Sequence, residues 1–151
     1  MCSFFSCIIT KEHKVIWSPS VDSHDELIAL GNLKDNISDP DKLRFARVEI
    51  LPPKGDVFEP DIKKWTLKID QAITPKWFDS RAEKACIKAL KECLKETIID
   101  GVNLPLLENK NGLWLRNSKI EIIKNCSVRV MRGSSTVWVM RESSTGWGMR
   151  G

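Results

Sequence analysis

The chain has only two histidines, His13 and His24, and its five cysteines (Cys2, Cys7, Cys86, Cys93, Cys126) include no CxxC pair and no histidine at metal-ligand spacing. These absences argue against a zinc site and a disulfide framework, and they fit a reducing compartment. No metal and no cofactor are expected. No apolar run is long enough to span a bilayer, no basic segment leads into an apolar one at the amino terminus, and no lipidation motif is visible, so a cytoplasmic protein is expected. Nor is there a glycine loop that could cradle phosphate, a Ser-His-Asp order or a paired-carboxylate motif. Most hydrolase and nucleotide-binding schemes therefore lack support.

What is present is an ordinary globular composition, with 42% hydrophobic and 29% charged residues over 151 positions. A chain of that length buries roughly two-thirds of its unfolded surface on folding. The net charge of +4 is placed unevenly. Residues 113–151 hold seven basic side chains (Arg116, Lys119, Lys124, Arg129, Arg132, Arg141, Arg150) against Glu121 and Glu142. A nucleic acid or other polyanion is thus one partner class for the tail, and simple solubility is its plain rival.

Along the chain, Phe4 to Thr10 and Val15 to Trp17 flank a polar turn and read as an antiparallel hairpin. Ser23-His-Asp-Glu26 has capping-box spacing and predicts a short helix that ends at Gly31. That box also accounts for His24 and Asp25, so no acid-base or metal site is assigned to them. Phe45 to Leu51 predicts a strand with Ala46, Val48 and Ile50 on one face and Arg47 and Glu49 on the other, and Trp65 to Asp70 predicts a second alternating strand. A second capping box, Ser80-Arg-Ala-Glu83, opens the longest helix, which is expected to run to about Ile99. Ala82, Cys86, Ala89, Leu90, Cys93, Leu94 and Thr97 share its apolar face. Cys86 and Cys93, two turns apart, read as small core residues rather than a redox pair. The stripe Arg81, Lys84, Lys88, Lys91 and Lys95 reads as a solvated surface. Asn111-Gly112 signals a tight turn, and from Leu113 onward the pattern is that of strands.

The strongest signal is a period of nine. Met131-Arg-Gly-Ser-Ser-Thr-Val-Trp-Val139 is followed by Met140-Arg-Glu-Ser-Ser-Thr-Gly-Trp-Gly148, and Met149-Arg150-Gly151 opens a third copy. A degenerate earlier copy is placed at 122–130. An odd period would throw equivalent side chains onto opposite faces of a flat strand, so the chain is expected to turn at the Ser-Ser steps. Each unit would then stack on the last about 4.8 Å away, Met131 on Met140 and Trp138 on Trp147, as a short β-solenoid or meander. Arg132, Arg141 and Arg150 would stack too and repel unless Glu142 or an anion relieves them. A calcium-binding nonapeptide roll is not expected, since the turns lack the glycine- and aspartate-rich pattern it needs. The tail ends within a copy and carries no capping unit, so it is expected to pair with a second chain or another protein.

Cys2 carries the one sharp catalytic reading. Removal of Met1 would leave a cysteine whose own amine, with a pKa near 8, could serve as base for its thiol. That start looks like the opening of a class II glutamine amidotransferase over fewer than twenty residues, with Ser3 standing where that family has glycine. A wider resemblance rests on Met-Cys-x-Phe-x-Ser-Cys-Ile-Ile-Thr10, Asp22-Ser-His-Asp-Glu-Leu-Ile28, Arg47-Val-Glu-Ile50, Pro75-Lys-Trp-Phe78 and the Met-Arg-Gly-Ser-Ser tail. Together they resemble a group of small, uncharacterised phage, prophage and bacterial proteins that end in Ser-Ser-rich repeats. The resemblance implies a mobile-element gene in a bacterial cytoplasm and transfers no catalytic residue.

The resulting expectation is an α+β domain over 1–112, an antiparallel sheet on one long helix, extended by a β-repeat region over 113–151. The expected function is a non-enzymatic interaction or assembly module of phage or mobile-element type that self-associates or docks a partner, a host protein among the candidates, through a surface comprising Arg132, Trp138, Arg141, Trp147 and Arg150. An amidohydrolase using Cys2 and a polyanion binder are the alternatives.

Overall fold

The computed structural model describes residues 4–34 and 43–146, in two compact units, Met1–Cys93 and Leu94–Gly151. Cys2, Trp147 and Arg150 lie outside the described residues.

The first unit is built on an antiparallel sheet of four strands, β1 (Phe5–Thr10), β2 (Val15–Ile16), β3 (Phe45–Leu51) and β4 (Thr66–Ile69), in the order β2-β1-β3-β4. Every residue of β1 is buried, because both faces of this central strand are covered. Directly opposed residues share a face. Cys7 opposite Val48 and Ile9 opposite Ala46 form one face, while Ser6 opposite Glu49 and Ile8 opposite Arg47 form the other. On the second face Ile8 and Phe45 pack with Leu27 and Ile28 of α1 (His24–Leu30). On the first face Cys7 lies against Cys86 of the long helix α2 (Ser80–Thr97).

The buried residues of α2 in this unit are Ala82, Cys86, Ala89, Leu90 and Cys93, as its periodicity predicts. Its cap is Asp79 rather than Ser80: the Asp79 carboxylate accepts from the backbone amides of Arg81 and Ala82, each at 3.0 Å. The Ala82 amide, ahead of the neighbouring Arg81, holds the Asp79 carboxyl below its usual range. The hydrogen bond from Cys86 and the loss of water push the Cys7 thiol well up. The four described cysteines, Cys7, Cys86, Cys93 and Cys126, are buried, so they act as core side chains.

The second unit is a β-solenoid of about three turns. Helix α2 stops at Thr97, two residues earlier than its pattern suggests, because Ile98–Asp100 is already a strand, β5. It is followed by β6 (Asn103–Glu108), β7 (Leu113–Arg116), β8 (Lys119–Lys124), β9 (Ser127–Arg132), β10 (Thr136–Arg141) and β11 (Thr145–Gly146). These strands make two parallel sheets, β10-β8-β6 and β11-β9-β7-β5. Successive strands thus alternate between sheets, so Asn111-Gly112 joins strands of different sheets instead of closing a hairpin. The unit begins well before residue 113 because β5 and β6 pair in parallel with β7 and β8.

The stacking register differs from a nine-residue ladder. Leu113 lies beside Val128, Ile98 beside Trp114, Ile122 beside Val139, and Ser127 beside Thr145, so stacked partners are 15 to 18 residues apart. Met131 stacks on Leu115 and Met140 on Ile123, Arg132 on Arg116 and Arg141 on Lys124. Met131 and Met140 sit in different sheets, as do Arg132 and Arg141. The physical reason is that one nine-residue unit supplies a single strand and corner, while a closed coil needs two. Left-handed backbone marks the corners at Gly101, Asn109, Asn117, Asn125, Gly133 and Glu142. They recur every eight residues until one extra serine, Ser134 and then Ser143, makes the spacing nine. In the frame that opens at Met131, this spacing makes the preceding copy Ile123–Val130, one residue shorter than the expected 122–130.

Leu113, Leu115, Ile120, Ile123, Cys126, Val128 and Met131 form the core between the sheets, with Ile99, Leu107 and Val137 at its margins. Hydroxyls tie the corners together. Ser118, fully buried, accepts from the Val102 amide (3.3 Å) and donates to the Arg116 carbonyl (2.9 Å). Ser135 accepts from the Ser118 amide and donates to the Arg132 carbonyl, and Ser144 accepts from the Cys126 amide and donates to the Arg141 carbonyl. The second serine of each copy thus satisfies a backbone donor of the coil before it.

Glycine is required at Gly133 on two counts: its φ is +62°, and a Cβ there would collide with Oδ1 of Asn117. Gly101 shares the left-handed backbone, at φ +67°, but its Cβ direction is open. Gly101→Ala is expected to cost the left-handed penalty alone, about 1 kcal/mol, and Gly133→Ala clearly more. Urea unfolding of the two variants checks the order.

Candidate functional site

Two places combine exposure or buried polarity with chemistry. The first is strand β10. Among the described residues it hydrogen-bonds on one edge only, to β8. Trp138 is 79% exposed there, and the neighbouring Val139 and Met140 are also exposed. Of the residues expected to form the surface, Arg132 and Arg141 are exposed, at the carboxyl ends of β9 and β10 in the two sheets.

The charges along the coils change sign. Asp100 and Glu108 occupy the strand ends of the first coil, and the next rungs carry Arg116 beside Asp100 and Lys124 beside Glu108. Arg116 holds Asp100 through two contacts, 3.1 Å and 2.6 Å, and keeps its carboxyl below the usual range. Lys124 contacts Glu142 at 3.1 Å and Glu108 at 4.0 Å. Glu142, then Glu108, hold its ammonium charged above the ordinary lysine range. This pairing gives a reason for a glutamate at the left-handed position 142, where the previous copy has glycine. The repulsion expected of stacked cations is thus relieved on the earlier rungs. Arg132 and Arg141 have no carboxylate within 4.0 Å among the described residues.

The second place lies on the α1 face of the antiparallel sheet, and sequence reasoning missed it. Ser23 does cap α1, accepting from the Glu26 amide at 3.5 Å. His24, however, turns inward and is 8% exposed. Its Nε2 lies 3.1 Å from the Val48 carbonyl and its Nδ1 3.3 Å from Oδ2 of Asp70. Glu49 of β3 completes the group, with ligand atoms of His24, Glu49 and Asp70 all within 4.8 Å of one another. Asp70 is delivered by the β3–β4 pairing, its amide donating to the Arg47 carbonyl at 2.9 Å. The three residues line an open depression of about 560 Å³, together with Asp22, Ser23, Asp25 and Arg47. The only available signal was that Arg47 and Glu49 share the face opposite the Val48 core, and nothing in their spacing indicated that α1 would cover it.

Comparison with protein-family models, with curated proteins and with solved structures gives no match to this chain. Function therefore has to come from the chemistry of the residues themselves. No helix among the described residues is long and apolar enough to cross a membrane.

The Asp100–Arg116 rung has a defined pH signature. A carboxyl held low in the fold contributes stability above its unfolded pKa, near 3.9, and that contribution is lost as pH falls through the lower folded value. Asp100→Asn should therefore flatten the loss of solenoid stability below about pH 4. Unfolding midpoints of the two proteins across that range test this.

Proposed function

We propose that this chain is a non-enzymatic assembly module whose solenoid pairs with a second copy through the open edge of β10, in a phage or mobile-element setting. The observation that carries the reading is the strand itself: one hydrogen-bonded neighbour among the described residues, and three consecutive exposed apolar side chains, Trp138, Val139 and Met140. An exposed, apolar strand edge is a template for another strand. A second copy is the favoured occupant because a two-fold antiparallel pairing would set Val137 against Met140 and Trp138 against Val139. It would also keep the two Arg141 side chains at opposite ends of the ladder. Parallel stacking would instead bring equivalent cations together. In this reading the nine-residue unit is a half-coil, two units make one turn, and further copies lengthen the ladder without changing its cross-section.

A second reading has its own observation. Arg132 and Arg141 are exposed without a carboxylate partner among the described residues, and the strand that ends in Arg141 also carries the exposed Trp138, which suits an anionic partner. The Cys2 amidohydrolase draws no support from the described residues, since Cys2 falls outside them.

The test is the mass in solution, by sedimentation velocity, of the full chain and of the double variant Trp138→Lys, Val139→Lys. Both positions are exposed, so the fold should tolerate the change while the added charge blocks the edge. A dimer that becomes monomeric in the variant supports the proposal. A monomeric parent at high micromolar concentration, or an equally dimeric variant, refutes it. A polynucleotide affinity that falls steeply with salt and vanishes in Arg132→Gln, Arg141→Gln would favour the second reading.

A further inference from the structure

We propose that His24, Glu49 and Asp70 bind one divalent transition-metal cation. The case begins with the imidazole. The Val48 carbonyl can only accept, so Nε2 of His24, 3.1 Å away, carries the proton that makes this bond. In the neutral ring that fixes Nδ1 as a bare lone pair, and it faces a carboxylate oxygen of Asp70 at 3.3 Å. Two acceptors at that distance repel unless a positive species lies between or beside them. A backbone carbonyl on the distal nitrogen is also the outer contact that metal-binding histidines use to fix their tautomer and orientation.

The remaining geometry fits a cation. Ligand atoms about 2.0–2.2 Å from a metal lie at most about 4.4 Å apart. Nδ1 of His24 and Oδ2 of Asp70 are already at 3.3 Å, and with Glu49 the three ligand atoms lie within 4.8 Å of one another, so it is the half-buried Glu49 carboxylate that would draw in on the ion. His24, by contrast, is buried and held, which gives the site one rigid ligand and two acidic ones that neutralise a double charge. Across the strand pair, Ser6 is directly opposite Glu49 and its buried Oγ has no hydrogen-bond partner among the described residues, but it does not line the depression, so the assignment rests on the three ligand atoms and the orientation of the imidazole. One imidazole with two carboxylates suits Zn²⁺, Mn²⁺ or Fe²⁺ better than Mg²⁺ or Ca²⁺, which prefer all-oxygen sets. The depression beside the site would leave the remaining coordination positions open to water or an anionic substrate, on the side where Arg47 stands.

The experiment titrates the full chain with Mn²⁺ and with Zn²⁺ by calorimetry, while the ring nitrogens of His24 are followed by NMR during the Zn²⁺ titration. One site per chain is expected, with a large shift confined to Nδ1 of His24. Glu49→Gln and Asp70→Asn should each weaken binding by about 10-fold or more. Replacing His24 itself endangers the fold, so these two variants carry the test, and His13→Gln should leave binding unchanged. A doubly protonated His24 paired with Asp70 would give the same geometry without metal. In that case neither cation binds stoichiometrically, and the proposal falls. Binding that survives both carboxylate substitutions would overturn it equally.

Discussion

The solenoid depends on one constraint: every half-coil has to reverse direction while leaving no backbone amide unpaired. The chain meets it with two devices, found together at the corners from Asn117 onward. A residue in left-handed conformation makes the turn, and a small polar side chain just beyond it reaches the neighbouring coil. Asparagine and glycine serve the first purpose because they reach that conformation at little cost. Asn125 does more, donating through Nδ2 to Asn109 at 3.4 Å and accepting from the Ser143 hydroxyl at 3.0 Å. Ser118, Ser135 and Ser144 serve the second purpose, and Cys126 occupies the equivalent place with its thiol on the Leu107 and Lys124 carbonyls. The core follows from the corners. Once the turns are fixed, Leu115, Ile120, Ile123, Val128 and Met131 have no direction to point except between the sheets.

The same periodic geometry governs the surface. A side chain placed outward on one strand recurs on the next rung of its sheet, so charges form rows along the stack. The first rungs alternate in sign and pair internally, through Asp100 with Arg116 and Glu108 with Lys124. Strands β9 and β10 end in exposed Arg132 and Arg141, and β10 adds exposed Trp138, Val139 and Met140. The earlier coils therefore bring their own counter-charges, while β10 offers cations and apolar surface together. Such a gradient along a ladder is a reason to place recognition toward the later coils. The histidine-carboxylate cluster belongs to the other compact unit, and its chemistry is separate from that of the ladder.

Much of the fold was legible in the sequence. Alternation in Phe45–Leu51, the serine cap at Ser23 and the 3.6-residue period of Ala82, Cys86, Ala89, Leu90 and Cys93 reported their elements directly. What stayed hidden was long-range pairing. The nine-residue period is plain in the last copies, yet period alone does not distinguish a full coil from half of one. The eight-residue spacing is carried by identical residues only over Asn109, Asn117 and Asn125; Gly101 before them and Gly133 after them share the left-handed conformation but not the side chain, which shortens the visible repeat. The division between units was displaced for the same reason, since Ile98–Asp100 and Asn103–Glu108 reveal themselves as solenoid strands only through their parallel neighbours. His24 was assigned to its helix cap because the capping pattern is local, whereas its contacts with Val48 and Asp70 depend on tertiary packing.

Strand register is the claim on which the surface, the charge rows and the assembly edge all rest. Cross-strand nuclear Overhauser effects between backbone protons of the isotope-labelled chain measure it directly. The account predicts contacts linking Ile122 with Val139, Leu115 with Met131 and Ser127 with Thr145. Contacts that link Met131 with Met140 as strand neighbours, nine residues apart, would contradict it.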